Sequence, residues 1–437
     1  MAAVTGPAPA AHEPPRGWRR ARWAGVVLLV ALAVAAAVVR AAGTGYGTDF
    51  HARRLAGLRF WSGEPLYVLE PGVSENTYPP FAAMVFQVFA PFPLPVAAGL
   101  FYLANLALIP AAFLLTRRIL RRAWPGVPDR WPLALAGLCT VEYFLSNLNA
   151  IHPNTALFVL VLLGIVWHQE GRDIPAAAAF VGATAIKLIP VFFVAWIVVR
   201  GRTRAALAVL PLALAALALP IAQRGPARGL QDLREYHAAL LGGLSHGRVI
   251  QEYKNHNLAA AVYRLTRPPQ QPHERDYRIV RLSEGTAQGI YRAAALLVGG
   301  LFAGTLLWLR YRGEPVSVFE WSAAFLTGHL LSAMTWRGHL PTLLFVLAAF
   351  FAIPWRTLPR AARAAWWAVA LLAVFAGLSG RDVVGRGLHL TISGSGALTA
   401  LQLALFGWSI ALMHRARRTW DAPGPPSLSP ASPGGPA

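Results

Sequence analysis

Ala24-Gly25-Val26-Val27-Leu28-Leu29-Val30-Ala31-Leu32-Ala33-Val34-Ala35-Ala36-Ala37-Val38-Val39 leads, past Arg40, into Gly43-Thr44-Gly45-Tyr46-Gly47-Thr48-Asp49-Phe50. With its flanks the apolar run approaches the ~20 residues that a helix needs to cross a bilayer. Arg16, Arg19, Arg20 and Arg22 precede it. Two readings fit such a start, a cleaved signal peptide and an uncleaved anchor. The run exceeds a usual signal core and lacks a small-residue cleavage site, so an anchor is expected. Asp49 then stands at the membrane boundary of a chain with only 19 acidic residues in 437.

Working outward, hydrophobic residues make up 56% of the chain and charged residues 14%, with mean hydropathy +0.46. A soluble domain carries about a quarter charged residues, so an all-α polytopic membrane protein is expected. The net charge of +21 raises the question of nucleic acid. The arginines instead sit in short clusters at the ends of apolar runs, the pattern of cytoplasmic loops, so no nucleic-acid partner is expected. Lys187 and Lys254 are the only lysines among 40 basic residues. Cys139 is alone in an apolar run, which excludes a disulfide framework and a thiolate metal site. With no HExxH, Walker loop or paired-aspartate motif, neither a metal nor a cofactor is expected.

Twelve spans are read, at 22–41, 78–92, 95–116, 131–148, 153–168, 175–199, 205–223, 287–309, 316–335, 339–354, 364–380 and 394–414. They form one integral domain over 22–414, between disordered cytoplasmic tails at 1–21 and 415–437. The arginines at 200–204, 310–312, 356–363 and 415–418 then share the side of the basic N-terminus. Arg117, Arg118, Arg121 and Arg122 fall on the wrong side of this count. Letting 78–92 dip without crossing repairs them, but inverts every later loop unless a second span is also lost. The twelve-span count puts loops 43–77 and 224–286 and the turn Trp336-Arg337-Gly338-His339 outside. Chemistry is therefore expected on the extracytoplasmic face.

Each candidate carries two readings. Asp49 can take a proton from a hydroxyl, with partial desolvation raising its pKa, or it can cap a helix starting at Phe50. Tyr78, in Thr77-Tyr78-Pro79-Pro80-Phe81, belongs to a helix entry or an interfacial belt. Lys187, inside Ala183-Thr184-Ala185-Ile186-Lys187-Leu188-Ile189-Pro190, is costly in a span and should meet either a lipid phosphate or Glu142. Lys254-Asn255-His256-Asn257 can hold hydroxyls or a phosphate, or can be a solvated loop. Trp336, Arg337 and His339 can serve a leaving phosphate or anchor the interface.

Taken in order, these residues resemble glycosyltransferase family 87, the polyprenyl-phosphate-dependent mannosyltransferases with the GT-C membrane fold. The elements are Asp49, Gly63-Glu64-Pro65-Leu66-Tyr67, Tyr78-Pro79-Pro80-Phe81, Asn154-Thr155-Ala156-Leu157, Ala185-Ile186-Lys187-Leu188-Ile189-Pro190, Asn255-His256-Asn257-Leu258 and Trp336-Arg337-Gly338-His339. They span roughly 45–345. Two positions depart from the family pattern: Gly338 replaces the first of a histidine pair, and Ile151-His152 replaces a Gly-Gln pair.

The resemblance implies a polyprenyl-phosphate-mannose donor and a lipid-linked or glycan acceptor of the cell envelope. Asp49 would act as general base in an inverting displacement, and His339 as the second catalytic residue. Tyr78, Lys187, Lys254, Asn255, His256, Asn257, Trp336 and Arg337 would bind substrate. The expected setting is the bacterial plasma membrane, surrounded by lipid, with both termini cytoplasmic. The rival class is a lipid or lipid-linked-sugar transporter, whose mark would be inverted repeats with broken helices at mid-bilayer. No such repeat is seen. A non-catalytic scaffold would need neither Asp49 nor Lys187.

Overall fold

A computed structural model describes residues 16–43, 48–68, 70–126, 128–238, 249–271 and 274–419. Gly45 to Gly47 of the linker before Asp49, and the tails at 1–15 and 420–437, lie outside the described residues. Among those described, regular structure is helical throughout, as the hydropathy pattern requires of a chain whose backbone polar groups must be satisfied in lipid. Five helices are both long and apolar enough to cross a bilayer: Leu94–Ala123, Thr203–Arg224, Glu284–Tyr311, Arg360–Gly377 and Ala397–His414. Thr203–Arg224 is the most apolar of them, with mean hydropathy 2.4, yet buries only 11% of its apolar window. Such a surface suits lipid as its solvent. The protein's own core lies around Val318–Leu331 and Leu343–Phe351, where Trp321, Phe325 and Phe345 meet Phe193 and Trp196.

Ten of the twelve expected spans appear as helices or helix pairs within seven residues of their predicted ends. The other two are corrected. The stretch 78–92 holds only the seven-residue helix Pro80–Phe86 and a 3₁₀ turn, Gln87–Phe89. At 1.5 Å per residue that helix is about 10 Å long and cannot cross. Prolines at 79, 80, 91 and 93 bound it on both sides. It lies against the helix Asp49–Ser62 so closely that a Cβ on Gly57 would come within 2.5 Å of the Phe86 carbonyl carbon.

The stretch 175–199 is two helices, Asp173–Ile186 and Val191–Arg200, broken at Lys187-Leu188-Ile189-Pro190. The two limbs run in opposite directions. Asp173 and Arg202 pair at one end (3.1 Å), while Lys187 reaches Asn154 at the other (2.9 Å). One reversal of direction is lost and one is gained, so the side of the Arg117–Arg122 cluster changes.

That exchange removes the topological conflict. Arg118 and Arg172 both meet Glu170, and Gln169 donates to the Ile119 carbonyl. Arg202 donates to the His168 carbonyl, and Arg310 to that of Val199. The clusters near 117–122, 172, 200–204 and 310 therefore share one face. The tie between them is buried: Arg200 pairs with Glu320 at 2.9 Å, Trp196 Nε1 donates to the same carboxylate, and Glu320 closes a capping box with Ser317. Removing one partner of a pair this buried costs about 3–5 kcal/mol.

The two-face arrangement is testable by labelling single cysteines with an impermeant thiol reagent in a Cys139→Ala background. Arg118→Cys, Arg204→Cys and Arg360→Cys should react from one side of the membrane, and Glu75→Cys and Arg275→Cys from the other. Arg118→Cys reacting together with Glu75→Cys would contradict the fold.

Candidate active site

On the face away from the arginine clusters, the helix Asp49–Ser62 is set by its ends. The Thr48 hydroxyl accepts from the His51 N–H at 3.2 Å, and Gly63 closes the C-terminus at φ +81°, which favours glycine. Arg224, paired with Asp232 at 2.6 Å, donates to the carbonyls of Arg59, Phe60 and Glu64 and fastens this end to the long helix Thr203–Arg224. Tyr67 donates to the Tyr78 carbonyl at 2.7 Å, joining the two proline-containing motifs. Since Thr48 is the cap, the Asp49 carboxylate is free for other use.

It meets His152. Asp49 Oδ2 lies 3.0 Å from His152 Nε2, with the carboxylate 30% exposed and the imidazole 7%. This hydrogen bond, helped by the charge of Arg53, outweighs burial and holds the Asp49 pKa down at about 2. The expectation of a raised pKa is thereby corrected, because the hydrogen bond dominates desolvation. Burial first, then the charge of Arg53, lowers His152 to about 4. Near neutral pH an ionised carboxylate thus faces a neutral imidazole. His152 follows Ile151, whose φ of +51° is strained for a β-branched residue. The carbonyl of Ile151 accepts from Arg53 Nη2 at 3.0 Å.

His152 leads to His339 and Lys187. The two imidazole rings stand edge to face, 6.1 Å between centroids, and Trp336 stacks parallel to His339. The Trp336 backbone N–H donates to His339 Nδ1 at 3.0 Å, so in the neutral ring Nε2 carries the proton. That nitrogen is 2.8 Å from Lys187 Nζ, which donates to Asn154 Oδ1 at 2.9 Å. The Nζ lone pair is then engaged by His339, and a full ammonium requires this contact to open. Asn154 is itself held by the Gly338 carbonyl at 2.8 Å. Tyr78 is buried between Arg53 and Lys187, whose Cζ and Nζ atoms lie 5.6 and 5.5 Å from its ring centre. Glu142 is not a partner of Lys187; it lies toward Arg337 and Gly380. A cavity of about 40 Å³, room for little more than water, sits beside Lys187, His329 and Phe325.

Asp49, Tyr78, Lys187, Trp336 and His339 thus come together. The other expected site residues do not join them. Asn255 is fully buried, bonding the carbonyls of Ile250 and Ala333 and accepting from Thr335 N–H. Asn257 caps the helix Leu258–Thr266 and donates to Ser332 and Ala333. His256 is buried, its backbone N–H bonded to the Thr335 carbonyl. These three brace the turn that carries Trp336 and His339. Arg337 turns away to Ser379 and Ser393 (2.8 and 3.2 Å), and Lys254 lies exposed at a separate cavity. Sequence reasoning gave no site role to His152, Arg53 or Asn154. Arg53 alone had a local signal, four residues after Asp49 and so on the same helix face.

The acidity of Asp49 should depend on His152. Difference infrared spectroscopy of the protein against Asp49→Asn, across pH, isolates its carboxylate band. The midpoint should lie near 2 and move up by about one unit or more in His152→Ala, because the lowering bond is gone and the raising effect of burial stays. An unmoved midpoint would count against this coupling.

In comparison with known proteins, the sequence model of glycosyltransferase family 87 matches residues 76–335, more than half of the chain. No curated protein and no solved structure matches.

Proposed function

The chain belongs to glycosyltransferase family 87 and is a membrane glycosyltransferase, and on that premise we propose that it moves mannose, or a related hexose, from a polyprenyl-phosphate donor to a lipid-linked or glycan acceptor of the cell envelope. The observation that carries this reading is the row Asp49, His152, His339, Lys187, with an ionised carboxylate at one end and a buried amine at the other. Transfer needs both: an acceptor for a hydroxyl proton, and a donor for a leaving phosphate. Family membership favours transfer over the transporter reading.

In the proposed reaction the acceptor oxygen attacks the anomeric carbon as the bond from that carbon to the phosphate oxygen breaks. The hydroxyl proton passes to Asp49, and the polyprenyl phosphate departs with the bonding pair. One displacement inverts the centre, so a β-linked donor yields an α-linked product. A carboxylate as acidic as Asp49 is a weak base, so proton transfer falls late, after the sugar has gained positive character and the hydroxyl has become more acidic. The same negative charge stabilises that cationic sugar. At the other end Lys187 takes up a proton from solvent as the donor binds and becomes the full ammonium, the phosphate replacing His339 there, while His339 Nε2–H turns to the phosphate oxygen. Arg337, bound to Ser379 and Ser393, has no part in this step.

The basic face is taken as cytoplasmic, following the positive-inside rule. The site then lies on the extracytoplasmic side of a bacterial plasma membrane with both termini inside.

The test is turnover of polyprenyl-phosphate-mannose by purified protein supplied with envelope glycolipid extracts. Asp49→Asn should keep donor affinity and lose about 10²–10⁴-fold in rate. Lys187→Met should weaken donor binding at least about ten-fold, a loss of some 1.4 kcal/mol. Asp49→Asn retaining half of normal turnover would remove the base from the mechanism.

A further inference from the structure

A second cavity, of about 570 Å³, opens on the same face as Asp49 between the loop before Leu258, the helix Leu258–Thr266 with the segment after it, and the helix Arg381–Gly394. Its volume is that of a site for a small ligand. Six of its lining residues are arginine or lysine and two are glutamate, and Tyr253 and Tyr277 add aromatic surface.

Arg264 is the informative member. It is 3% exposed, and its Nε and Nη1 donate to the carbonyls of Gly394, Glu252 and Asn255 at 2.8 to 2.9 Å. Its Nη2 is buried with no hydrogen-bond partner, and among the described residues no carboxylate lies within ion-pair distance. A buried guanidinium held by neutral carbonyls, with one nitrogen unpartnered in a residue that lines the cavity, is a charge awaiting a counter-ion. Arg381 and Arg386 are exposed at the rim, also outside any ion pair among the described residues.

We propose that this cavity is the acceptor subsite and takes an anionic saccharide, a sugar bearing phosphate or carboxylate groups, with Arg264 Nη2 at its base and Arg381 and Arg386 at its mouth. The tyrosines offer ring faces to neutral sugar units. One short path of contacts links the cavity to the turn that carries Trp336 and His339. Arg264 holds the Asn255 carbonyl, and Asn255 holds the Thr335 N–H beside Trp336. The word acceptor rests on the transferase reading; the recognition of an anion does not.

The test is equilibrium binding, without donor, of mannose 6-phosphate, glucuronate and mannose to the full chain in neutral detergent. At least one charged sugar should bind ten-fold or more tighter than mannose, and which one does so separates phosphate from carboxylate recognition. Arg381→Gln/Arg386→Gln, at exposed positions where folding is not at stake, should lose at least ten-fold of that affinity, and Lys187→Met should lose none. In nanodiscs, loss of the charged sugar's binding with phosphatidylglycerol but not phosphatidylcholine would identify a lipid headgroup as the source of the anion. Equal affinity for mannose and the charged sugars, or no binding of either charged sugar at millimolar concentration, would overturn the proposal. So would loss in Lys187→Met with the rim variant unchanged. Since no turnover is read, failure here leaves the transferase reading intact, and failure of the Asp49→Asn test leaves this site standing.

Discussion

A buried lysine amine needs polar company, and Lys187 draws three distant parts of the chain together to supply it. Asn154 and His339 contact it directly at 2.9 and 2.8 Å, while Tyr78 covers it from the side. The helix Asp173–Ile186 stops there, with Lys187 extended and Pro190 starting the return limb. That break fixes the topology as well as the site. Without it the chain would cross once between 175 and 199, and the arginines of 117–122 could not share a face with those of 200–204.

Asp49 depends on the same frame at one remove. His152 is held by the Asn147–Pro153 corner, where the strained Ile151 turns the chain and the Arg53 guanidinium grips its carbonyl. His152 then faces both Asp49 and His339. The proposed proton acceptor and the amine proposed to meet the donor phosphate are therefore positioned by one continuous set of contacts. The loop residues Asn255 and Asn257 act from behind, spending their amides on the backbone at 332–335 so that Trp336 and His339 stay in register.

Much of this was legible in sequence. Apolar runs bounded by arginine located ten of the passes, and the cost of a lysine among apolar residues singled out Lys187 for a special environment. Two spans were misread because hydropathy averages over a window: Pro79-Pro80 and Ile189-Pro190 interrupt hydrogen bonding without lowering apolarity. The misplaced arginine cluster was the visible trace of both errors. His152 and Arg264 were not legible, because their roles come from contacts across long separations, 103 residues from His152 back to Asp49 and 130 from Arg264 to Gly394. Asn255 and Asn257 looked like ligands because an amide that binds sugar and one that binds backbone are the same residue type. Only burial separates the two uses.

The central claim is that Lys187 receives the donor phosphate while Asp49 faces the anomeric carbon. A structure of the protein with a non-hydrolysable polyprenyl-phosphonate sugar measures this directly. The expected result is a phosphonate oxygen within hydrogen-bond distance of Lys187 Nζ, the Lys187–His339 contact opened, and the sugar between the phosphonate and Asp49. A phosphonate seated in the Arg264 cavity, with Lys187 still bonded to His339, would contradict it.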